Sequence, residues 1–138
     1  MPVVAKVLRS FEDTAIQSRA CRVIGSLAHD KRNSVKLLEI LIHHSLGQII
    51  NNSEHEETLL MAIRAVHHLS DRKEHIAILG RYYIFAKLCA LLVKSENVSV
   101  LKKLFATLFH IFSYMKRFSE TSSHYWIGSE GGGKLIAR

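Results

Sequence analysis

The sequence repeats itself with a 42-residue period. The segment ACRVIGSL, which begins at Ala20, aligns with AIRAVHHL from Ala62 and with LFATLFHI from Leu104, so the two steps are equal (62 − 20 and 104 − 62). A constant period of this length is typical of repeat architectures, in which one supersecondary unit stacks on copies of itself. A single unit of this kind cannot bury its apolar face alone, and stacking supplies the missing contact surface.

Each copy has the apolar spacing of a helix with one buried stripe, at i, i+3, i+4 and i+7. The predicted stripe consists of Ala20, Val23, Ile24, Leu27, Ala62, Ala65, Val66, Leu69, Leu104, Thr107, Leu108 and Ile111. Polar breaks at 10–13, 51–54 and 94–97 separate a shorter helix from a longer one in each unit. A further short helix is predicted from Glu74 to Leu79, with Gly80 at its end.

The period, the three helices per unit and particular residues resemble the armadillo repeat. Ala20, Ile24 and Leu27 match the third-helix pattern of that family, and so do Ala62, Val66 and Leu69. The ending of its second helix is matched by Leu88, Leu91 and Leu92. Gly80 stands where the family usually has a glycine, between its first and second helices. The resemblance implies an all-α fold, a right-handed α-solenoid built as an armadillo-like superhelix. HEAT repeats, which have a similar period, are the nearest alternative. They have two helices per unit and usually a proline bend, which this chain lacks, since its one proline is Pro2.

The resemblance also implies a division of the chain. We expect armadillo-like repeats over residues 1–114, with a partial repeat at 1–30 and repeats at 31–72 and 73–114. An irregular tail at 115–138 would lead into a truncated next repeat. We therefore expect a fragment of a longer solenoid whose neighbouring repeats would cover the apolar ends.

Catalytic chemistry has no candidate residues. No Gly-x-Ser-x-Gly elbow occurs, and the glycine-rich run from Gly128 to Lys134 is followed by Leu135, where a phosphate-binding loop needs Ser or Thr for magnesium. Cys21 and Cys89 lie among apolar neighbours, so both are predicted to be buried free thiols. The chain is predicted not to be an enzyme and to need no cofactor.

Nine histidines raise the question of a metal site. No two of them are three or four residues apart on one helix, and the adjacent pairs at 43–44 and 67–68 point about a quarter turn apart. No metal ligand is therefore predicted, and the histidines are interpreted as surface and groove residues.

The formal charge of +7 favours an acidic partner. Lysine and arginine are spread along the whole chain, which favours an acidic protein segment over nucleic acid. There is no charge-free apolar run of about 18 residues and no signal-peptide pattern, so we expect no membrane partner and a cytoplasmic or nuclear location.

The predicted binding site lies on the side of the third helices that an armadillo superhelix turns inward. Eight residues would form a basic, partly histidine-lined ladder one repeat apart: Arg19, Arg22, Ser26, Met61, Arg64, His68, Lys103 and His110. The tryptophan and asparagine with which peptide-holding family members bind are absent from the corresponding positions. Arginine binds carboxylate and phosphate, so the hypothesis is an acidic or phosphorylated peptide, and the alternative is a merely solvated helix face.

The function implied is that of a non-catalytic protein-interaction scaffold that holds a partner segment on its concave face. Armadillo-like solenoids also serve as the substrate-binding parts of ubiquitin-ligase adaptors, so the resemblance implies this role as one form of the scaffold. The alternative is a nucleic-acid-binding helical repeat protein that uses its basic surface. Phe105, Phe109 and Phe112 have the spacing of a core stripe, which we favour over base stacking, and exposed apolar ends would allow self-association.

Overall fold

The computed structural model describes residues 13–121, with side chains up to residue 116. Within this range every regular element is a helix and there is no strand. The seven helices are α1 (Thr14–Leu27), α2 (Lys31–Glu39), α3 (Ile42–Asn52), α4 (Glu56–Leu69), α5 (Lys73–Arg81), α6 (Ile84–Lys94) and α7 (Val98–Thr121). The predicted all-α class is confirmed.

The 42-residue period recurs in the starts of the helices. Helices α1, α4 and α7 begin at positions 14, 56 and 98, so each begins one full period after its counterpart. The same difference separates α2 from α5 (73 − 31) and α3 from α6 (84 − 42). The described residues thus form the same succession of two short helices and one longer helix twice, following the first described copy of the longer helix.

The long helices begin at equivalent polar caps. Asp13 accepts hydrogen bonds from the amides of the first turn of α1, Nδ1 of His55 accepts from the amide of Thr58, and Oδ1 of Asn97 accepts from the amide of Val100. These caps satisfy amide groups that the first turn leaves without a partner. The polar breaks predicted between the second and third helices of both units are confirmed.

The two short helices of each unit meet at a residue in the left-handed region. Leu41 and Tyr83, which are equivalent positions of successive copies, both have φ of 60°, and α5 and α6 bend by 73° at this break. Gly80 was predicted to end the first short helix, and that prediction is wrong: α5 continues to Arg81 and no glycine in the described part has positive φ. The turn instead forces an unfavourable conformation on Tyr83.

Helix α4 packs between α1 and α7, and α3 packs against both α4 and α6. Hydrogen bonds also cross between copies: Oγ1 of Thr58 donates to the carbonyl of Thr14 at 3.1 Å, and the hydroxyl of Tyr114 donates to the carbonyl of Asp71 at 2.7 Å. Each long helix therefore contacts its counterpart in the next copy.

The predicted apolar stripe is buried in α4 and α7. All four stripe positions of both helices are buried, including Thr107 at 0% exposure. In α1, Ala20 and Ile24 are buried, but Val23 is 47% exposed, contrary to the prediction. Its counterpart Ala65 is covered because α1 packs on that side of α4, whereas no described helix packs on the corresponding side of α1.

The phenylalanines of α7 do not form a core stripe. Phe105, Phe109 and Phe112 are 60%, 75% and 48% exposed, so that prediction is wrong. The core side of α7 is taken by the stripe beginning at Leu104, and the phenylalanines lie on another side of the helix. The counterparts of Phe105, which are Cys21 and Ile63, are both 0% exposed because the following copy covers them.

The length of α7 and the exposure of Cys89 both differ from the predictions. Helix α7 continues to Thr121, so residues 115–121 are helical and the irregular tail does not begin at 115. Cys21 is buried as predicted, but Cys89 is exposed because it lies on the side of α6 that no described helix covers.

Helix α7 is also apolar enough to meet a test for membrane spans that considers length and composition only. The window Val98–Lys116 has a mean hydropathy of 1.2, and 28% of it is buried within the protein. Core helices of water-soluble proteins meet the same test, and α7 supplies core residues such as Leu104 and Ile111. Together with the exposed phenylalanines, these core residues account for its high hydropathy.

We predict that Gly80→Ala stabilises the protein by about 0.5–1 kcal/mol, because Gly80 lies in a helix with negative φ and alanine is the better helix former. The added Cβ would lie 3.3 Å from Cε2 of the half-buried Phe85, which can shift. The matched variant Gly47→Ala places its Cβ 2.9 Å from Cδ1 of the buried Ile84 and should cost about 1–3 kcal/mol. Urea unfolding measures both, and destabilisation by Gly80→Ala would contradict this account of the α5–α6 turn.

Candidate functional site

The predicted ladder residues lie on three adjacent helices, α1, α4 and α7. Their exposure falls along the stack: Arg19, Arg22 and Ser26 on α1 are exposed, whereas the ladder residues on α4 and α7 are half-buried. Met61 packs against the hydrophobic core. The α1 end of the ladder is therefore the end most open to solvent.

Arg22 and Arg64 are already engaged within the protein. Nη2 of Arg22 lies 3.4 Å from Oε1 of Glu57, and both side chains are more than half exposed, so this ion pair contributes little stability. Nη1 of Arg64 donates to the carbonyl of Arg22 at 3.4 Å. The two arginines are thus neighbours across the α1–α4 contact, as the repeat spacing predicts, and both contacts are weak enough to be exchanged for a ligand.

Beyond Arg64 the ladder continues as a row of aromatic rings. The ring centroids of His29 and His68 are 3.8 Å apart, and those of His67 and His110 are 4.5 Å apart with an interplanar angle of only 12°. Tyr114 follows, 5.5 Å from His110. The row therefore brings together four histidines: His29 just after α1, His67 and His68 in the last turn of α4, and His110 in the middle of α7.

Asp71 lies within this row, directly after α4. Its Oδ1 is 2.9 Å from Nε2 of His110, and its Oδ2 is 3.9 Å from Nδ1 of His68. The geometry at His110 does not meet the angular requirement of a hydrogen bond, and Nε2 is inaccessible to solvent. The His110–Asp71 contact is therefore a short electrostatic one.

The surroundings keep two of these imidazoles neutral near pH 7. Burial lowers the pKa of His68 to about 4, with further lowering by His29 and Arg64 and opposition from Asp71. Burial also lowers the pKa of His67, with further lowering by His110 and Lys103 and opposition from Asp71. Neutral rings can donate or accept a hydrogen bond, or bind a metal, at physiological pH.

His67, Asp71 and His110 form a group of potential metal ligands. One ligand atom from each lies within 4.8 Å of the other two. Histidine spacing on one helix does not reveal this group, because the second histidine comes from the next copy of the long helix. The signal was present in the i, i+4 spacing of His67 and Asp71 and in the 42-residue offset that aligns His110 with His68.

A concavity lies where the loops before α4 and α7 meet. It has a volume of about 200 Å³, and its charged lining residues are Glu54, Glu56, Glu96 and Lys94. Because this lining is mainly acidic, it does not extend the basic ladder.

Two other candidates from the sequence do not add to the site. Burial raises the pKa of the Cys21 thiol to about 12, so the reactive thiolate form is strongly disfavoured. The glycine-rich run from Gly128 to Lys134 lies outside the residues that the structure describes.

No protein-family model matches the chain, and no curated protein sequence matches it.

We predict that acid destabilises the protein partly through His68. Its folded-state pKa lies below the ordinary value of 6.5, so its stability contribution is complete above pH 6.5 and is lost as the pH falls towards about 4. Between pH 7.5 and 4.5 in metal-free buffer, the free energy of unfolding should fall for both the wild type and His68→Gln. The fall should be larger for the wild type, with a difference on the order of 1–3 kcal/mol. Urea unfolding at a series of pH values measures this, and identical pH profiles would refute it.

Proposed function

We propose that this chain belongs to an armadillo-type right-handed α-solenoid and acts as a non-catalytic scaffold that binds an acidic segment of a partner protein. The observation that carries the proposal is the stacking of α1, α4 and α7, which places equivalent residues of successive copies side by side on one surface. A segment lying along that surface would meet Arg19 and Arg22 first and Arg64 next.

The form of the repeat supports the solenoid part of the proposal. Each unit has three helices and a 42-residue period, and each long helix packs on its counterpart in the next copy. Helix α4 has one side covered by α1 and another by α7. The apolar side of α7 that carries Phe105 and Phe109 corresponds to the side that α1 and α4 bury, as expected of units that stack in one direction.

The charges of the ladder support an acidic ligand. Arg19, Arg22, Arg64 and Lys103 lie along the stacked helices, and a guanidinium can hold a carboxylate or phosphate through two parallel hydrogen bonds. Arg22 forms an ion pair with Glu57 at 3.4 Å. Because both side chains are exposed, this pair contributes little free energy, and an acidic ligand can replace Glu57 at small cost. The role of a substrate-binding part in a ubiquitin-ligase adaptor, in the cytoplasm or nucleus, is one setting for such a scaffold.

The ligand class is tested with fluorescent peptides of alternating glutamate and serine, with and without phosphorylation, and with a single-stranded RNA of equal charge. Fluorescence anisotropy would compare the wild type with Arg19→Glu/Arg22→Glu. The matched control is Lys36→Glu/Lys94→Glu, which changes the net charge equally on α2 and α6. We expect the ladder variant to weaken peptide binding at least tenfold and the control to change it less than threefold, roughly.

Two results would contradict the proposal. Equal weakening by both variants would show that net charge, rather than the ladder, attracts the peptide. Tighter binding of the RNA, with an affinity that falls steeply as salt increases, would favour the nucleic-acid alternative instead. Circular dichroism on both variants confirms that helicity is unchanged.

A further inference from the structure

We propose that His67, Asp71 and His110 bind one divalent transition-metal ion of the zinc class at the junction between α4 and α7. The site is separate from the arginine end of the ladder and does not depend on the scaffold function. It uses one residue of α4, one from the turn that follows it, and one from the next copy of the long helix.

The ligand atoms are close to the spacing that such an ion requires. Zinc bonds to nitrogen and oxygen are about 2.0–2.2 Å long, so a tetrahedral ion holds its ligand atoms roughly 3.3 Å apart. The three ligand atoms all lie within 4.8 Å of one another, so no pair must approach by more than about 1.5 Å. Rotation of side chains is sufficient for a change of that size.

Neighbouring groups hold the ligands in place. Nδ1 of His67 lies 3.2 Å from Oγ1 of the buried Thr107, and a hydrogen bond there leaves Nε2 of His67 available to a metal. The turn that carries Asp71 is tied to α7 because its carbonyl accepts the Tyr114 hydroxyl at 2.7 Å. Such outer partners orient ligating side chains in metal sites and strengthen binding.

The ligand set also selects the kind of ion. Two imidazoles and one carboxylate suit Zn²⁺, Co²⁺ or Ni²⁺, whereas Mg²⁺ prefers oxygen ligands throughout. Nε2 of His110, which solvent does not reach, already lies 2.9 Å from Oδ1 of Asp71, so these two candidate ligand atoms are adjacent before an ion binds. With three protein ligands, the fourth position of a tetrahedral ion remains open to water or to a group from a partner.

An ion at this position would link two successive copies of the long helix. Because the ligands come from α4, the following turn and α7, the ion binds only when these elements are packed together. Binding to the folded state alone raises its stability by mass action, so metal binding would make the α4–α7 contact respond to metal supply.

The test uses the full 138-residue chain without a polyhistidine tag, after removal of metal with a chelator. Calorimetric titration with Zn²⁺ should give one site per chain, and Zn²⁺ at about 100 times its Kd should raise Tm by about 5–10 °C. Co²⁺ should give the visible absorption bands of a tetrahedral complex. Mg²⁺ should give neither effect.

Three variants separate this site from adventitious binding. His110→Gln and Asp71→Asn, which keep side-chain size, should each weaken zinc binding at least about tenfold. His44→Gln removes an exposed histidine elsewhere and should leave zinc binding unchanged. If zinc causes no Tm shift in the wild type, or if the shift is the same in all variants, the proposal is wrong.

Discussion

The packing of α4 against both α1 and α7 is the interaction on which the other features depend. Seven of its fourteen residues are buried, among them Ala62, Ile63, Ala65 and Val66. Small residues meet on the α1 side: a Cβ at Gly25 would lie 2.6 Å from Nη1 of Arg64 and in van der Waals contact, at 3.6 Å, with the Cα of Ala65. A large side chain at either position would separate the two helices and remove apolar contacts that stabilise both.

The same packing creates the candidate sites. Since the copies are related by a fixed offset, any polar residue type that recurs once per period is lined up across the stack. Arg22 lies beside Arg64, and His68 and His110 from successive copies both lie against Asp71. The surface therefore has two parts of different chemistry: an arginine part centred on α1 that suits acidic groups, and a histidine part between α4 and α7 that suits a metal ion.

Much of the fold was predictable from the sequence because the 42-residue repeat can be recognised by aligning the chain with itself. Apolar spacing indicated the long helices, and polar breaks located their starts. The turn at Tyr83 was not predictable, because a non-glycine residue in the left-handed region goes against local preference. Tyr83 itself is 72% exposed, whereas Leu79 and Ile84 on either side of the turn are fully buried. The exposure of Val23 and Phe109 was missed for a related reason: apolar spacing shows that a helix has an apolar side, but not whether another helix covers it.

The candidate sites were predictable only in part, since the ladder follows from the repeat offset whereas the His67, Asp71 and His110 group requires the distances between helices. The most direct test of the central role of α4 is amide hydrogen exchange at the residue level. If α4 is held from both sides, the amides of Ile63, Ala65 and Val66 should exchange most slowly, and those of α1 and α7 faster. Exchange in α4 as fast as in the short helices α2 and α5 would contradict the account.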